Sequence, residues 1–100
     1  MTPTRSCDVA VIGAGIAGLT VTRTLAEAGL SVSVHEARDR VGGRLLSSAD
    51  DGPTVDLGAT WFWPNEPLVQ SLADELGVDT FPQELAGRDV RSRPPRPAPH

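Results

Sequence analysis

Residues 8–18 read DVAVIGAGIAG, and the pattern of this stretch predicts the fold class. Its first five residues are rich in β-branched side chains, which is typical of a strand buried on both faces. The strand ends at Gly13, where three glycines with the spacing GxGxxG predict a turn followed by a helix. The helix is also indicated by small or apolar residues at three- and four-residue spacing, which form one stripe: Gly18, Val21, Thr22, Leu25, Ala26 and Gly29.

The next residues complete a βαβ unit. Gly29 stands where a left-handed cap would end the helix. Within the helix, the hydroxyl of Thr22 is placed to donate to the carbonyl of Gly18 one turn back. Residues 30–35 then alternate apolar and polar side chains, which predicts a second short strand. A strand, a helix and a strand within about 28 residues predict parallel strands joined by a right-handed crossover, and therefore an α/β fold.

The glycine spacing and one acidic residue indicate a Rossmann-like dinucleotide-binding unit. Gly13 permits a tight turn, Gly15 lets the backbone approach a pyrophosphate, and Gly18 lets the helix pack closely on the sheet. The start of the helix favours a bound anion. Glu36, 18 residues after the last glycine, is placed to accept hydrogen bonds from a ribose, and its charge disfavours a 2′-phosphate. These residues leave NAD and FAD open, and the alternative is an ordinary turn followed by a surface acid.

The following residues predict a hairpin, a second helix and one more short strand. Residues 44–47 and 54–57 flank a turn-rich segment and would pair as a hairpin. Asn65 is placed to cap the second helix, and Gly77 to end it. Residues 78–81 would form the last strand. The second helix has Glu66 and Pro67 in its first turn and an apolar stripe of Leu68, Val69, Leu72, Ala73 and Leu76.

The C-terminal stretch differs in composition from the rest. Residues 91–100 contain four prolines and three arginines and show no periodicity. We therefore predict one domain at residues 1–86 and a disordered tail at residues 87–100. Because Arg/Pro-rich stretches arise when GC-rich DNA is read in a shifted frame, we also expect a truncated or frameshifted reading.

Composition and charge argue against several kinds of partner. Residues 1–87 hold 12 acidic groups against five arginines, so we expect no nucleic acid as a partner. No apolar run approaches the ~20 residues needed to cross a membrane, and residues 1–8 lack the pattern of a secretory signal. We therefore expect no membrane partner. Cys7 is the single cysteine and cannot form an internal disulfide, so the cytoplasm is the expected location. No metal site is predicted.

Residues 36–44, EARDRVGGR, distinguish between the two cofactors. The order GxGxxG, an acidic residue and then R-x-G-G-R resembles the flavin-containing amine oxidase superfamily. That superfamily includes monoamine and polyamine oxidases, L-amino acid oxidases and flavin histone demethylases, and more distantly protoporphyrinogen oxidase and phytoene desaturases. The resemblance continues through residues 55–61, VDLGATW, and covers residues 8 to about 83. It implies that the cofactor is FAD.

The resemblance implies a role for each part of the motif. Residues 13–18 would hold the FAD pyrophosphate, Glu36 would bind the adenosine ribose, and Arg38 would lie over the adenine side. Residues 42–44 would lie along the pyrophosphate and ribityl chain, and residues 58–60 would lie against the isoalloxazine ring. The candidate cofactor-binding residues are Gly13, Ala14, Gly15, Ile16, Ala17, Gly18, Glu36, Ala37, Arg38, Gly42, Gly43, Arg44, Gly58, Ala59 and Thr60.

Four neighbouring residues stay open between two interpretations. Asp39 and Arg40 are either solvated neighbours of the motif or part of the site. Trp61 and Trp63 either line the flavin or substrate channel or pack beneath a loop that would be covered in a larger protein.

The resemblance also implies a function. The chain would be the FAD-binding part of an amine oxidase-type oxidoreductase, which oxidises a small-molecule amine or amino acid by hydride transfer to flavin. No catalytic residue is predicted, because the family's substrate domain and the lysine near the flavin would lie beyond residue 100. The alternatives are a desaturase or protoporphyrinogen oxidase-like enzyme, and a non-catalytic nucleotide-binding remnant or module that needs a partner chain. Since a βαβ fragment leaves sheet faces uncovered, marginal stability or association through exposed apolar faces is expected.

Overall fold

The computed structural model describes residues 4–92, and the chain divides into two compact units. The first unit, Met1–Phe62, contains five of the elements, and the second unit, Trp63–His100, contains one helix. In chain order the elements are β1 (Val9–Ile12), α1 (Ile16–Glu27), β2 (Val32–His35), β3 (Ser47–Ser48), β4 (Val55–Asp56) and α2 (Pro67–Glu75).

The predicted tail lies partly outside the described residues. Residues 87–92 contain neither helix nor strand, and residues 93–100 lie outside the part of the chain that the structure describes. The predicted domain boundary after residue 86 stays a prediction.

The first unit is built on the predicted βαβ arrangement. Strands β1 and β2 pair in parallel, with Val9 opposite Val32 and Ile12 opposite His35. The pairing continues one residue further, because the N–H of Gly13 donates to the carbonyl of His35 at 2.7 Å. Helix α1 packs against both strands. The parallel βαβ unit is therefore confirmed.

The expectation that β1 is buried on both faces is wrong for this chain. Burial alternates along the strand: Val9 and Val11 are half-buried, whereas Ala10 and Ile12 are exposed, Ile12 to 82%. The physical reason is that α1 covers one face of the two-stranded sheet, and no other described element of the first unit packs on it. An alternating pattern of this kind is typical of a sheet with one covered face.

Helix α1 approaches β1 closely at a glycine. A Cβ placed on Gly18 would overlap the carbonyl oxygen of Gly13 and would lie 3.4 Å from Cγ1 of Val11. Only a residue without a side chain lets helix and strand come together at this distance. The role predicted for Gly18 in close packing is therefore confirmed.

The ends of α1 and α2 follow the predicted glycine caps. Gly29 has a φ of 88° and donates to the carbonyl of Ala26 at 3.0 Å, while Leu30 donates to Leu25 at 3.1 Å. These two bonds satisfy carbonyls in the last turn of α1, as a left-handed glycine cap does. Helix α2 ends in the same way at Gly77, whose φ is 66°.

Two other details of the helices were also predicted from sequence, and one of them is wrong. The hydroxyl of Thr22 donates to the carbonyl of Gly18 at 2.7 Å, as expected. Asn65 does not cap α2: the cap position is Glu66, and no side chain bonds the first turn of the helix. Instead, Oε2 of Glu66 accepts the N–H of Trp63 at 2.6 Å, so this side chain closes the preceding turn.

The predicted hairpin is present but short. Strands β3 and β4 pair antiparallel, with Ser47 opposite Asp56 and Ser48 opposite Val55. The segment joining them is rich in turn residues, and Asp51 has a φ of 43°. The strand predicted at residues 78–81 is absent, because these residues, within the described chain, form no ladder with any other segment.

Replacement of Gly18 by alanine tests the close approach of α1 to β1. The added Cβ would force the two elements apart, and we expect the free energy of unfolding to fall by about 1–3 kcal/mol. The matched control is Gly52→Ala, because a Cβ there would meet its nearest atom, the carbonyl oxygen of Asp50, at an ordinary 3.6 Å. Urea denaturation followed by circular dichroism measures both variants. Equal midpoints for Gly18→Ala and the unsubstituted chain would contradict the packing role.

Candidate nucleotide-binding site

The glycine loop, residues 13–18, joins β1 to α1 and leaves the start of the helix open. The first backbone bond of the helix runs from the N–H of Leu19 to the carbonyl of Gly15 at 3.0 Å. No side chain caps this end of α1, and its first turn contains no acidic residue. Among the described residues, the N–H groups of Gly15, Ala17 and Gly18 donate to no protein acceptor. This end of α1 is therefore available to an anion.

Glu36 directly follows β2 and bonds the glycine loop. Its Oε2 accepts the N–H of Ala14 at 2.8 Å, and its Oε1 accepts the N–H of Arg38 at 3.1 Å. Ala14 is buried, with 3% of its surface exposed, whereas Glu36 is half-buried. The bond from the Ala14 N–H, followed by the bond from the Arg38 N–H, lowers the pKa of Glu36 below its ordinary value. The carboxylate is thus ionised at neutral pH, and each oxygen keeps a free lone pair.

Residues 41–45, here called the diglycine loop, lie directly on the glycine loop. The N–H of Gly42 donates to the carbonyl of Ala14 at 2.8 Å, and Gly15 and Gly42 form an isolated parallel bridge. A Cβ on Gly43 would lie 3.3 Å from Cα of Gly15, which is tighter than ordinary contact. Both glycines have positive φ, 105° at Gly42 and 60° at Gly43. Glycine is therefore favoured at both positions by backbone conformation, and at Gly43 also by the close approach to Gly15.

Arg40 belongs to this cluster, although its role was left open from sequence. Its Nη2 donates to the carbonyl of Gly43 at 3.0 Å, and its Nη1 donates to the carbonyls of Val41 and Leu45 at 3.2 and 3.4 Å. Arg40 is half-buried and is not a solvated neighbour. The nearest sequence signal was its position two residues before the glycine pair, but three arginines stand in residues 36–44 and the pattern does not rank them.

Residues 58–60 follow β4 and lie against the start of the hairpin. The N–H of Ala59 donates to the carbonyl of Arg44 at 3.1 Å, and a Cβ on Gly58 would overlap that same carbonyl oxygen. Thr60 donates through its hydroxyl to the carbonyl of Gly58 at 3.2 Å. All three residues are exposed. The backbone of this segment is thus held beside Arg44 and not beside the glycine loop.

The remaining predicted site residues lie at the surface. Ala37, Arg38 and Arg44 are exposed, and within residues 4–92 the side chains of the two arginines form no hydrogen bond or ion pair. Ile16 and Ala17, in the first turn of α1, are exposed as well. The positive charges of Arg38, two residues after Glu36, and of Arg44, in the diglycine loop, are therefore available to a ligand.

The two tryptophans cannot be assigned to a common site. Trp61 is 68% exposed and lies in the first unit. Trp63 is 67% exposed and belongs to the second unit. Neither packs beneath a loop within the described chain, and both interpretations of the tryptophans stay predictions.

The cluster has the chemistry of a site for a phosphorylated nucleoside. It combines the open start of α1, backbone that approaches backbone at two glycines, one ionised carboxylate, and exposed guanidinium groups. N–H groups and guanidinium groups bind phosphate oxygens, and a carboxylate with free lone pairs accepts hydroxyl hydrogen bonds. The residues present therefore fit the phosphates and ribose of a dinucleotide.

Comparison with protein families identifies the chain. The model of the family described as flavin containing amine oxidoreductase matches residues 16–96. The chain belongs to this family. The flavin-containing amine oxidoreductases use FAD, so the dinucleotide that the fold and the glycine spacing left open is FAD for the family.

The chain is similar in sequence to individual members of this family. The chain is similar to putrescine oxidase from Kocuria rosea, with 46% identity over 87 residues, which are 87% of this chain and 18% of that protein. It is also similar to amine oxidase [flavin-containing] B from Rattus norvegicus, with 45% identity over 76 residues, covering 75% of this chain and 15% of that protein. The chain thus spans less than a fifth of the length of these two relatives.

A solved structure supports the fold. Wild-type putrescine oxidase bound to putrescine superimposes with a TM-score of 0.72 and 49% sequence identity, covering 79% of this chain and 18% of that one. The Rossmann-like opening of a flavin-containing amine oxidoreductase is therefore confirmed. Among the described residues, neither helix is long and apolar enough to cross a membrane.

The bond between Glu36 and Ala14 predicts a pH dependence. Because the folded pKa of Glu36 is lowered, the bond contributes its full stability above the ordinary pKa of a glutamate and loses it as the pH falls through the lowered value. An NMR titration should show the Glu36 carboxyl and the Ala14 N–H shifting together, below the pH at which a free glutamate titrates. Glu36→Gln should abolish the shift at Ala14. Titration of Glu36 at or above the ordinary glutamate pKa would contradict the bond.

Proposed function

We propose that this chain forms the FAD-binding part of an amine oxidase-type oxidoreductase. The single observation that carries the proposal is the hydrogen-bonded cluster at the start of α1. In it Ala14 bonds both Glu36 and Gly42, so the glycine loop, the acidic residue and the diglycine loop form one structure.

Each part of the cluster has a proposed role toward FAD. The glycine loop, with its open N–H groups, binds the pyrophosphate. Glu36 accepts the ribose hydroxyls through the lone pairs that Ala14 and Arg38 leave free, while Arg38 lies beside the adenine. Residues 42–44 follow the pyrophosphate and ribityl chain, and residues 58–60 lie against the isoalloxazine ring. The proposed positions of residues 42–44 and 58–60 are supported by the hydrogen bond from the N–H of Ala59 to the carbonyl of Arg44. This bond connects residues 58–60 to the diglycine loop.

The proposed substrate is a small-molecule amine. Bound flavin supplies the oxidising chemistry, because it accepts a hydride equivalent from the carbon that carries the amine. The described residues orient the nucleotide and supply its charge partners. The relatives that support an amine are a putrescine oxidase at 46% identity and a flavin-containing amine oxidase B at 45% identity. Putrescine is therefore the first substrate to test in a protein that carries this segment.

A second candidate is a nucleotide-binding module that works with a partner chain. The observation that favours it is the uncovered face of the β1–β2 sheet, where Ile12 is 82% exposed. An exposed β-branched residue on a strand of a parallel sheet is unusual, since such sheets are covered on both faces. A partner chain, or further chain of the same protein, would cover this face.

The cytoplasm is the proposed location. Its support is Cys7, which is free and exposed. Exposed thiols persist in reducing compartments and are oxidised elsewhere.

Direct binding of FAD tests the proposed function. The purified chain should quench FAD fluorescence on titration, and Glu36→Ala should weaken the affinity on the order of tenfold, because both the ribose contacts and the Ala14 bond are lost. Glu36→Gln should lie between the two, since its amide oxygen still accepts one hydrogen bond. The control is Glu84→Gln, an exposed acidic residue of the second unit. FAD binding that is unchanged in Glu36→Ala would show that the ribose site is misplaced.

Activity separates the two candidates. Because the chain alone is expected to bind FAD without turnover under both candidates, a longer protein that carries this segment is mixed with FAD and putrescine, and hydrogen peroxide is measured. Turnover favours the oxidoreductase, and bound FAD without turnover favours the module.

Self-association tests the uncovered sheet face. We expect the chain to associate at increasing concentration, and Ile12→Thr to reduce that association, because the apolar side chain is replaced by a polar one that keeps its β-branched shape. The matched control is Val90→Thr, at a side chain that is 97% exposed outside any helix or strand. Sedimentation velocity over a range of concentrations measures all three proteins. A sedimentation coefficient of the unsubstituted chain that remains that of a monomer at every concentration would contradict the expectation.

A further inference from the structure

We propose that Arg40 is the positioning residue of the phosphate-binding part of this site. Its guanidinium binds carbonyl oxygens of the diglycine loop, so that these carbonyls are engaged within the chain and the loop offers its free N–H groups to a phosphate. The proposal rests on the proposed function, because it assigns Arg40 a task toward the same bound nucleotide.

The carbonyl oxygens of the diglycine loop are all bonded within the chain. Arg40 donates to the carbonyls of Val41, Gly43 and Leu45 at 3.2, 3.0 and 3.4 Å. The other two loop carbonyls accept from backbone: that of Gly42 accepts the N–H of Leu45 at 3.0 Å, and that of Arg44 accepts the N–H of Ala59 at 3.1 Å. Every carbonyl of the loop is therefore bonded within the chain, which reduces its repulsion of an anionic oxygen.

Among the N–H groups of the diglycine loop, some are bonded within the chain and others are unpaired. The N–H of Gly42 bonds the carbonyl of Ala14 at 2.8 Å and thereby fixes the loop to the start of α1. The N–H groups of Gly43 and Arg44 have no acceptor within residues 4–92. Successive unpaired N–H groups in a glycine-rich turn are an anion-binding arrangement. The loop thus adds two donors to those of the glycine loop.

Only arginine can satisfy this set of carbonyls. Its planar guanidinium presents five donors in a fixed fork, whereas the ammonium of lysine is a point charge on a mobile stem. No carboxylate within the described chain forms an ion pair with Arg40, so its charge is not neutralised. Removing the side chain would leave three carbonyls without their donor in a loop that contacts Gly15.

The experiment compares Arg40→Met and Arg40→Lys with the unsubstituted 100-residue chain. The control is Arg88→Met, at an exposed arginine of the second unit. The ligands are FAD, ADP and adenosine, with affinities measured by NMR titration or calorimetry. Amide exchange at Leu45 and Gly42 is measured without ligand, because these N–H groups report the fold of the loop.

We expect Arg40→Met and Arg40→Lys each to weaken ADP and FAD on the order of tenfold, while adenosine, which carries no phosphate, binds as before. Amide exchange at Leu45 should accelerate in both variants, and Arg88→Met should match the unsubstituted chain. The selective loss for ADP over adenosine separates a positioning role from general destabilisation.

Three results would overturn the proposal. Equal losses for ADP and adenosine would show a merely structural role. Arg40→Lys with unchanged affinity would show that charge is sufficient and the fork is not needed. Unchanged ADP and FAD affinities in Arg40→Met would refute the role of Arg40 and leave the proposed function intact. By contrast, an unsubstituted chain that binds neither FAD nor ADP would refute the proposed function, and the role of Arg40 with it.

Discussion

The first unit depends on three places where backbone meets backbone without an intervening Cβ. Gly18 lies against the carbonyl of Gly13, Gly43 lies against Cα of Gly15, and Gly58 lies against the carbonyl of Arg44. The first contact sets α1 on β1, the second sets the diglycine loop on the start of α1, and the third sets residues 58–60 beside the hairpin. A Cβ at Gly18 or Gly58 would overlap the facing carbonyl oxygen and force the two segments apart, whereas one at Gly43 would require its neighbour to move by a few tenths of an ångström.

Polar contacts then fix what the glycines bring together. Ala14 is the common point, because its N–H donates to Glu36 and its carbonyl accepts from Gly42. Ala14 is also the buried hydrophobic residue of the described chain, with 3% exposure. The same residue therefore connects the acidic side chain proposed for the ribose with the loop proposed for the phosphates. A small side chain is required there, since larger ones would separate the two loops.

Much of the first unit could be predicted from sequence, because its determinants are local. The spacing GxGxxG and a glycine that ends a helix act within a few residues, and they predicted α1, its glycine cap and the parallel strands correctly; the glycine cap of α2, in the second unit, was predicted in the same way. Errors occurred where tertiary context decides. Asn65 has the right chemistry for a cap, but Glu66 takes the cap position. The β-branched run of β1 indicated burial on both faces, whereas the covering layer for Ile12 is not supplied by any described element of this unit.

The candidate site could also be predicted only in part. Backbone conformation and spacing predicted the glycines of the glycine loop, Glu36 and the diglycine pair, and the structure brings them into one cluster. The bond from Ala14 to Glu36 could not be predicted, because it joins residues 22 positions apart through a side-chain rotamer. The role of Arg40 was hidden for a related reason: three arginines in nine residues carry the same charge, and only the folded loop shows which guanidinium bonds its carbonyls.

The bond between Ala14 and Glu36 also bears on how the site assembles. Its partners lie 22 residues apart, and all the residues joined by it and by the bonds from Gly42 to Ala14 and from Ala59 to Arg44 lie in the first unit. The entropy lost on closing a loop grows only slowly with loop length, so these loops cost little more to close than shorter ones. The contacts of the proposed nucleotide site can therefore form within the first unit alone.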